Sequence, residues 1–302
     1  MAVFAIDLGG TNLRLAAVAP DGEILAHART ATPDSCSPVT LLDKIEELAA
    51  ECRSALDKDR RIAAIGVGAP ANIGPQHGIL RNLPNLPHLE GMDLKAELEQ
   101  RLGMRATLEN DATAAAIGEN WLGASRDVKD SIMITLGTGV GGGVIIDDRP
   151  IRGIDGTAGK IGHICVEPDG HACKCGSHGC IEQYASATAI VRLAKEAGLD
   201  VTSSADVYNM AMSGDARAKA VFERMGRLLG ITLAGLANLL NPQMFIIGGG
   251  AAAGWDAFID HVRNELSARA FPEPAARAVV VRSELRDNAG ILGAARSALA
   301  LV

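Results

Sequence analysis

Aromatic residues make up only 3% of this 302-residue chain, and no apolar run approaches the roughly 20 residues that a bilayer-spanning helix requires. No membrane partner is expected. Positive charge is also in deficit, 29 Lys and Arg against 36 Asp and Glu for a formal net charge of -7. Nucleic-acid binding needs a basic face that displaces counterions from phosphates, so that class is disfavoured. Small anionic ligands held by backbone dipoles remain compatible with the balance. The first residues, MAVFAIDLGGTN, have neither a basic segment nor a sustained apolar one, which predicts no signal peptide and a cytoplasmic location. In that reducing compartment clustered cysteines hold metal more often than they form disulfides.

Glycine is abundant, at 34 residues, and hydrophobic residues reach 48%. The composition is that of a globular chain with many tight turns and close backbone approaches. The length suits two domains. Val3 to Asp7, the bend Gly9-Gly10-Thr11-Asn12, Leu13 to Val18, an Asp21-Gly22 turn and Glu23 to His27 read as a strand, a glycine-rich bend and a returning strand. A helix follows Ser37-Pro38, with Leu41, Leu42, Ile45, Leu48 and Ala49 at helical spacing. Strands are predicted at 62–67 and 106–109, and helices at 94–102 and 111–122. Residues 131–152 repeat the order of residues 3–27, with Ser131 to Leu136, the bend 137–143 and Val144 to Ile146. The echo predicts a duplicated α/β domain with a cleft between the halves. Further on, residues 186–197, 215–240 and 288–301 are helical by pattern, and Met244 to Ile247 is a strand entering Gly248-Gly249-Gly250.

Both bends place glycines where backbone N–H groups can face an anion without a Cβ in the way. Gly9, Gly10, Thr11 and Asn12 form one candidate phosphate element, and Gly137, Thr138 and Gly139 the other. Hairpin turns need glycine anyway, but two matching bends weaken that reading. Gly249 and Gly250 fit backbone against a flat base such as adenine, or an ordinary strand-to-helix turn. Asp7, at a strand end before the first bend, is a candidate magnesium ligand or a turn-capping residue. Asp111 in Glu109-Asn110-Asp111-Ala112 stands where a strand passes into a helix. It reads either as an N-cap or as a general base for a hydroxyl attacking a γ-phosphate, with Asn110 holding a neighbouring hydroxyl.

Residues 159–180 hold three of the seven histidines and four of the six cysteines. Cys173, Cys175 and Cys180 lie on one tight loop, and zinc takes four N or S ligands in a tetrahedron. On chemistry alone the fourth ligand is Cys165, His163, His171 or His178. A closed site of this kind is structural, since it leaves no position for substrate or water.

DLGGTNLR at 7–14, ENDATAAAIGE at 109–119, LGTGVGGG at 136–143, GHICVEPDGHACKCGSHGCIE at 162–182, NPQMFIIGGG at 241–250 and DNAGILGAA at 287–295 together resemble the ROK family of sugar kinases and sugar-sensing repressors. The motifs run in order over nearly the whole chain, and within the family they are most similar to those of bacterial glucokinases. The resemblance implies a two-domain actin-like, hexokinase-like ATPase fold of the ribonuclease H-like class. Residues 1–112 with 289–302 would form the smaller domain, and 113–288 the larger, with a zinc loop at 163–180. It implies ATP-dependent phosphorylation of a hexose at its terminal hydroxyl, with Mg²⁺ on the nucleotide and Asp111 as base. Asn85, Asn110, His163 and Glu182 are implied as sugar ligands, His163 as the fourth zinc ligand, and a homodimer or homotetramer as the assembly. Fructokinase, mannokinase, N-acetylhexosamine kinase or a non-enzymatic sugar-responsive regulator are the alternatives. The regulators carry a DNA-binding segment before the first bend, which here begins at Asp7. Where the family has Glu-x-Gly-His, this chain has Lys160-Ile161-Gly162-His163, a donor in place of an acceptor.

Overall fold

The side chains of β1 (Ala2–Leu8) are buried on both faces of the strand, and they divide by parity between two cores. Phe4, Ile6 and Leu8 enter one apolar cluster, while Val3 and Ala5 enter another. That is the period of two expected of a central strand. The computed structural model describes residues 1–33, 37–74, 78–83 and 85–302.

In chain order, β2 (Asn12–Val18) and β3 (Ile24–Ala31) complete an antiparallel meander with β1. Next comes α1 (Pro38–Ser54), with Pro in its first turn and Ser37 accepting from the Thr40 N–H. β4 (Ile62–Ala69), the short pair β5 (Asn72–Ile73) and β6 (Leu80–Arg81), α2 (Leu94–Leu102), β7 (Arg105–Asn110) and α3 (Asp111–Leu122) follow. Left-handed Gly103 closes α2. Then come β8 (Ser131–Leu136), β9 (Val140–Ile146), β10 (Arg149–Pro150), α4 (Glu182–Ala185), α5 (Ala187–Glu196), α6 (Ser204–Met212) and α7 (Ala216–Leu240). β11 (Met244–Gly248), α8 (Trp255–Arg269), α9 (Pro272–Arg277), β12 (Val279–Arg282) and α10 (Ala289–Leu299) end the chain. The predicted helices at 186–197 and 215–240 both begin one residue later, because Ser186 and Asp215 are their N-caps.

The two large sheets share one topology, β3-β2-β1-β4-β7 and β10-β9-β8-β11-β12. In each, the first strand of the meander pairs in parallel with a later strand, which pairs in parallel with another. The predicted duplication is therefore a duplication of sheet order. The chain forms two compact units, Met1–Asp127 with Gly143–Gly159 and Glu284–Val302, and Val128–Gly142 with Lys160–Ser283. In the first, α10 packs closely on α3. A Cβ on Gly293 would sit 1.7 Å from the Ala114 carbonyl oxygen, so only glycine permits that approach.

Candidate functional site

The first bend is held by its carbonyls. The Gly9 N–H donates to the Asn12 carbonyl at 2.9 Å, closing the hairpin. Thr32, at the end of β3, donates its Oγ1–H to the Gly9 carbonyl at 2.7 Å and its N–H to the Thr11 carbonyl at 2.8 Å. The N–H groups of Gly10 and Thr11 donate to no acceptor among the described residues. They border a cavity of about 430 Å³ lined by Asp7, Gly9, Gly10, Thr11, Asn12, Arg14, Arg29 and Asp287. Asp7, Arg14 and Arg29 form one cross-strand row in the ladder. The Arg14 guanidinium is paired with the Asp7 carboxylate through Nε (3.0 Å) and a terminal nitrogen, and donates to the Asp287 carbonyl at 2.5 Å. Sequence reasoning missed Arg29 and Asp287. The row Asp7, Arg14, Arg29 was available only to a reading that committed to the register.

Asn85 is exposed and lies against this bend, its Cβ 3.2 Å from where a Cβ on Gly10 would stand. Residue 84, which precedes it, lies outside the described residues. At the end of β7 the two readings of Asp111 separate. Asn110 is the N-cap of α3, its Oδ1 accepting from the Ala112 and Thr113 N–H groups at 3.2 and 3.4 Å, while its Nδ2 donates to the Ala71 carbonyl. Asp111 is the first helical residue and exposed, with Oδ1 accepting from the Ala112 N–H at 2.8 Å. Glu109, just before them, is buried with both oxygens gripped by the Arg152 guanidinium. That contact raises the affinity of Arg152 for its proton, and the planar fork fixes the strand end.

In the second unit the bend 137–139 is tied by the same logic to a different partner. Gly137 donates its N–H to the Gly139 carbonyl at 2.9 Å. Its own carbonyl accepts from the Ala187 N–H at 2.8 Å, and the Thr138 carbonyl accepts from the Thr188 Oγ1–H at 2.9 Å, both at the start of α5. The N–H groups of Thr138 and Gly139 have no described acceptor. The Val140 N–H donates to Glu182 Oε2 at 2.9 Å. Glu182, expected as a sugar ligand, thus holds the exit of the second glycine bend. Gly249 has φ +87° and lies against the backbone of Leu136, and Gly250 follows it exposed. β8 and β11 run in parallel register, Gly248 beside Thr135, so this turn and the bend leave adjacent strand ends.

The cysteine loop gathers His163, Cys173, Cys175 and Cys180, whose donor atoms all lie within 4.8 Å of one another. Sγ of Cys175 and Cys180 are 3.6 Å apart, and Sγ of Cys173 is 3.7 Å from Nδ1 of His163. A zinc tetrahedron with bonds of about 2.3 Å to sulfur has edges near ~3.7 Å, so the set fits the ion. Burial and the neighbouring thiols push the Cys180 thiol up to about 12, while the Ser177 backbone N–H and the adjoining thiols hold Cys175 low. His171 is engaged by Arg192 and tilted on Tyr184, His178 bridges Ala172 in the hairpin, and Cys165 bridges Cys180 through backbone only. Of the four candidates for the fourth position, only His163 stands among the thiols.

The architecture is that of a two-unit α/β protein with duplicated sheets and a Cys3His centre. The chain belongs to the ROK family, whose model matches residues 3–300. It is 35% identical over 308 residues to the glucokinase of Thermotoga maritima, covering 97% of this chain and 96% of that one. It is 32% identical over 300 residues to the N-acetylmannosamine kinase of Shigella flexneri, covering 98% and 97%. A ROK family glucokinase from Streptomyces griseus, solved with glucose and AMPPNP, superposes with a TM-score of 0.84 at 34% identity, covering 99% of this chain and all of that one.

Proposed function

We propose that this protein is an ATP-dependent hexose kinase, acting on glucose at its 6-hydroxyl in the manner of a glucokinase. One observation carries the reading. Two bends of like sequence have their carbonyls tied back by other groups, leaving adjacent N–H groups to meet an anion. Each such element suits a phosphate group of ATP.

In this reading Asp111 accepts the hydroxyl proton as the sugar oxygen attacks the γ-phosphate. A positioned base is worth ~10²–10⁴ in rate. Asn110 and Asp111 share the Ala112 N–H, Asn110 Oδ1 at 3.2 Å and Asp111 Oδ1 at 2.8 Å, so the start of α3 holds both side chains in place. Asn85, Asn110, His163 and Glu182 take the sugar hydroxyls, and Gly249 and Gly250 the base. Arg14 and Arg29 line the first cavity and would balance phosphate charge. Mg²⁺ would be held by Asp7 together with phosphate oxygens, as this ion usually is, and would neutralise charge on the transferring group. Zinc would be held by His163, Cys173, Cys175 and Cys180 and would fold the loop, leaving the second ring nitrogen of His163 to a neighbouring partner.

The identity of the sugar is the finer part of the proposal. The T. maritima and S. flexneri relatives carry names for different substrates, and Lys160 stands where the family pattern has an acid. A coupled assay with glucose, mannose, fructose, N-acetylglucosamine and N-acetylmannosamine, each with ATP and Mg²⁺, tests it. Glucose is expected to give the highest kcat/KM. A higher value with an N-acetylhexosamine would replace the substrate, and no turnover with any sugar would overturn the kinase reading.

A further inference from the structure

The backbone of Val140 is braced from both sides by the ends of the cysteine loop. Its N–H donates to Glu182 Oε2 at 2.9 Å, and Glu182 lies two residues after the zinc-site Cys180. Its carbonyl lies so close to Gly162, the residue before His163, that a Cβ there would stand 2.1 Å from the oxygen. On the other flank, a Cβ on Gly139 would stand 2.4 Å from Glu182 Oε2. The backbone thread is continuous as well, since Ile181 donates its N–H to the Ile164 carbonyl at 2.9 Å. The cysteine loop is therefore clamped onto one residue, Val140, at the exit of the phosphate bend.

From this geometry we infer that Glu182 couples the two substrates, as a positioning residue for the nucleotide phosphates in addition to its proposed contact with the sugar. The carboxylate has two oxygens. Oε2 fixes Val140 and thereby the orientation of the Thr138 and Gly139 N–H groups, and Oε1 is left to take a sugar hydroxyl. A sugar that orders Glu182 therefore orders the phosphate bend, and a nucleotide that orders the bend presents Glu182 to the sugar. Such coupling is reciprocal in binding free energy. The inference rests on the proposed kinase function and specifies how one of its residues serves both ligands.

The test measures binding of AMPPNP without sugar, and of glucose without nucleotide, by calorimetry on the zinc-loaded protein. Glu182→Ala removes a charged acceptor from a backbone N–H and is expected to weaken AMPPNP about 10-fold or more, with zinc content and melting temperature monitored to establish folding. Glu182→Gln, which keeps an acceptor oxygen, is expected to restore most of the AMPPNP affinity. Gly139→Ala approaches the same contact from the bend, because its methyl displaces the carboxylate, and is expected to weaken glucose although Gly139 is a nucleotide residue. If Glu182→Ala loses glucose binding and keeps AMPPNP affinity, or Gly139→Ala leaves glucose affinity unchanged, the coupling is overturned. Wild-type protein that binds neither ligand overturns the kinase function instead.

Discussion

The two glycine-rich bends solve one problem with different supports. In each, carbonyls that would repel a phosphate are taken by donors, and the adjacent N–H groups are left over. At 9–12 the donors both come from Thr32, the residue that follows the strand paired with β2. That bend is an extension of its sheet. At 137–140 the ties come from the first turn of α5 and from Glu182, at the foot of the cysteine loop. Local sequence is alike in the two places, and the dependence on distant structure is not. The first bend should be as stable as the β1–β3 meander, whereas the second inherits the stability of a loop whose Cys3His cluster fits a zinc ion.

Breaking the chemistry while leaving both bends intact gives the largest expected effect. Asp111→Asn should lower kcat by at least ~10² with AMPPNP affinity and melting temperature near wild type. A near-normal rate would remove Asp111 from the base role. Breaking one support comes next. Cys175→Ser should abolish stoichiometric zinc, since the metal's ~10–16 kcal/mol of binding in zinc-finger peptides is in effect folding energy. Hydrogen exchange should then lose protection at Val140 and keep it at Gly9, and equal loss at both would contradict the separate supports. A smaller change falls on the first bend. Thr32→Val removes one hydroxyl donor, a hydrogen bond of about 1 kcal/mol, so KM for ATP should rise several-fold while glucose affinity is unchanged.

The smallest effect lies away from both bends, in the capping box of α6. The Thr202 and Ser203 N–H groups hold the Asp206 carboxyl down to about 2. Its contribution to stability is present above the unfolded-state value of about 4 and is lost as pH falls from there through about 2. Asp206→Asn should flatten that part of the melting profile and leave zinc content and both ligand affinities untouched. A shift in AMPPNP affinity would mean that the second bend depends on more of its unit than α5 and the cysteine loop.

Much of this was legible because the signals are local. A strand ending in Gly9-Gly10 or Gly137-Thr138-Gly139 turns wherever it is placed, and Ser37, Ser186 and Asp215 each announce a helix within three residues. Helices α6, α8 and α9 and strand β12 were not assigned from pattern. α9 and β12 are only 6 and 4 residues long, too short for a period to declare itself. Spacing left the fourth metal ligand open among four residues, and the resemblance favoured His163. His171 was removed from contention by Arg192 and Tyr184, which are 21 and 13 residues away in sequence.

By itself, then, the sequence determined the turns, the caps, the repeat and the trio of thiols, because each depends on residues within one or two turns of the chain. Only the tertiary structure decided which partners those features acquired. Asp7 meets Arg14 through strand register, Asn110 takes the cap and leaves Asp111 exposed, and Glu182 reaches back 42 residues to Val140. The reason is geometric. A hydrogen bond needs its atoms within about 3.2 Å, and over such separations only the packed fold sets distances that finely.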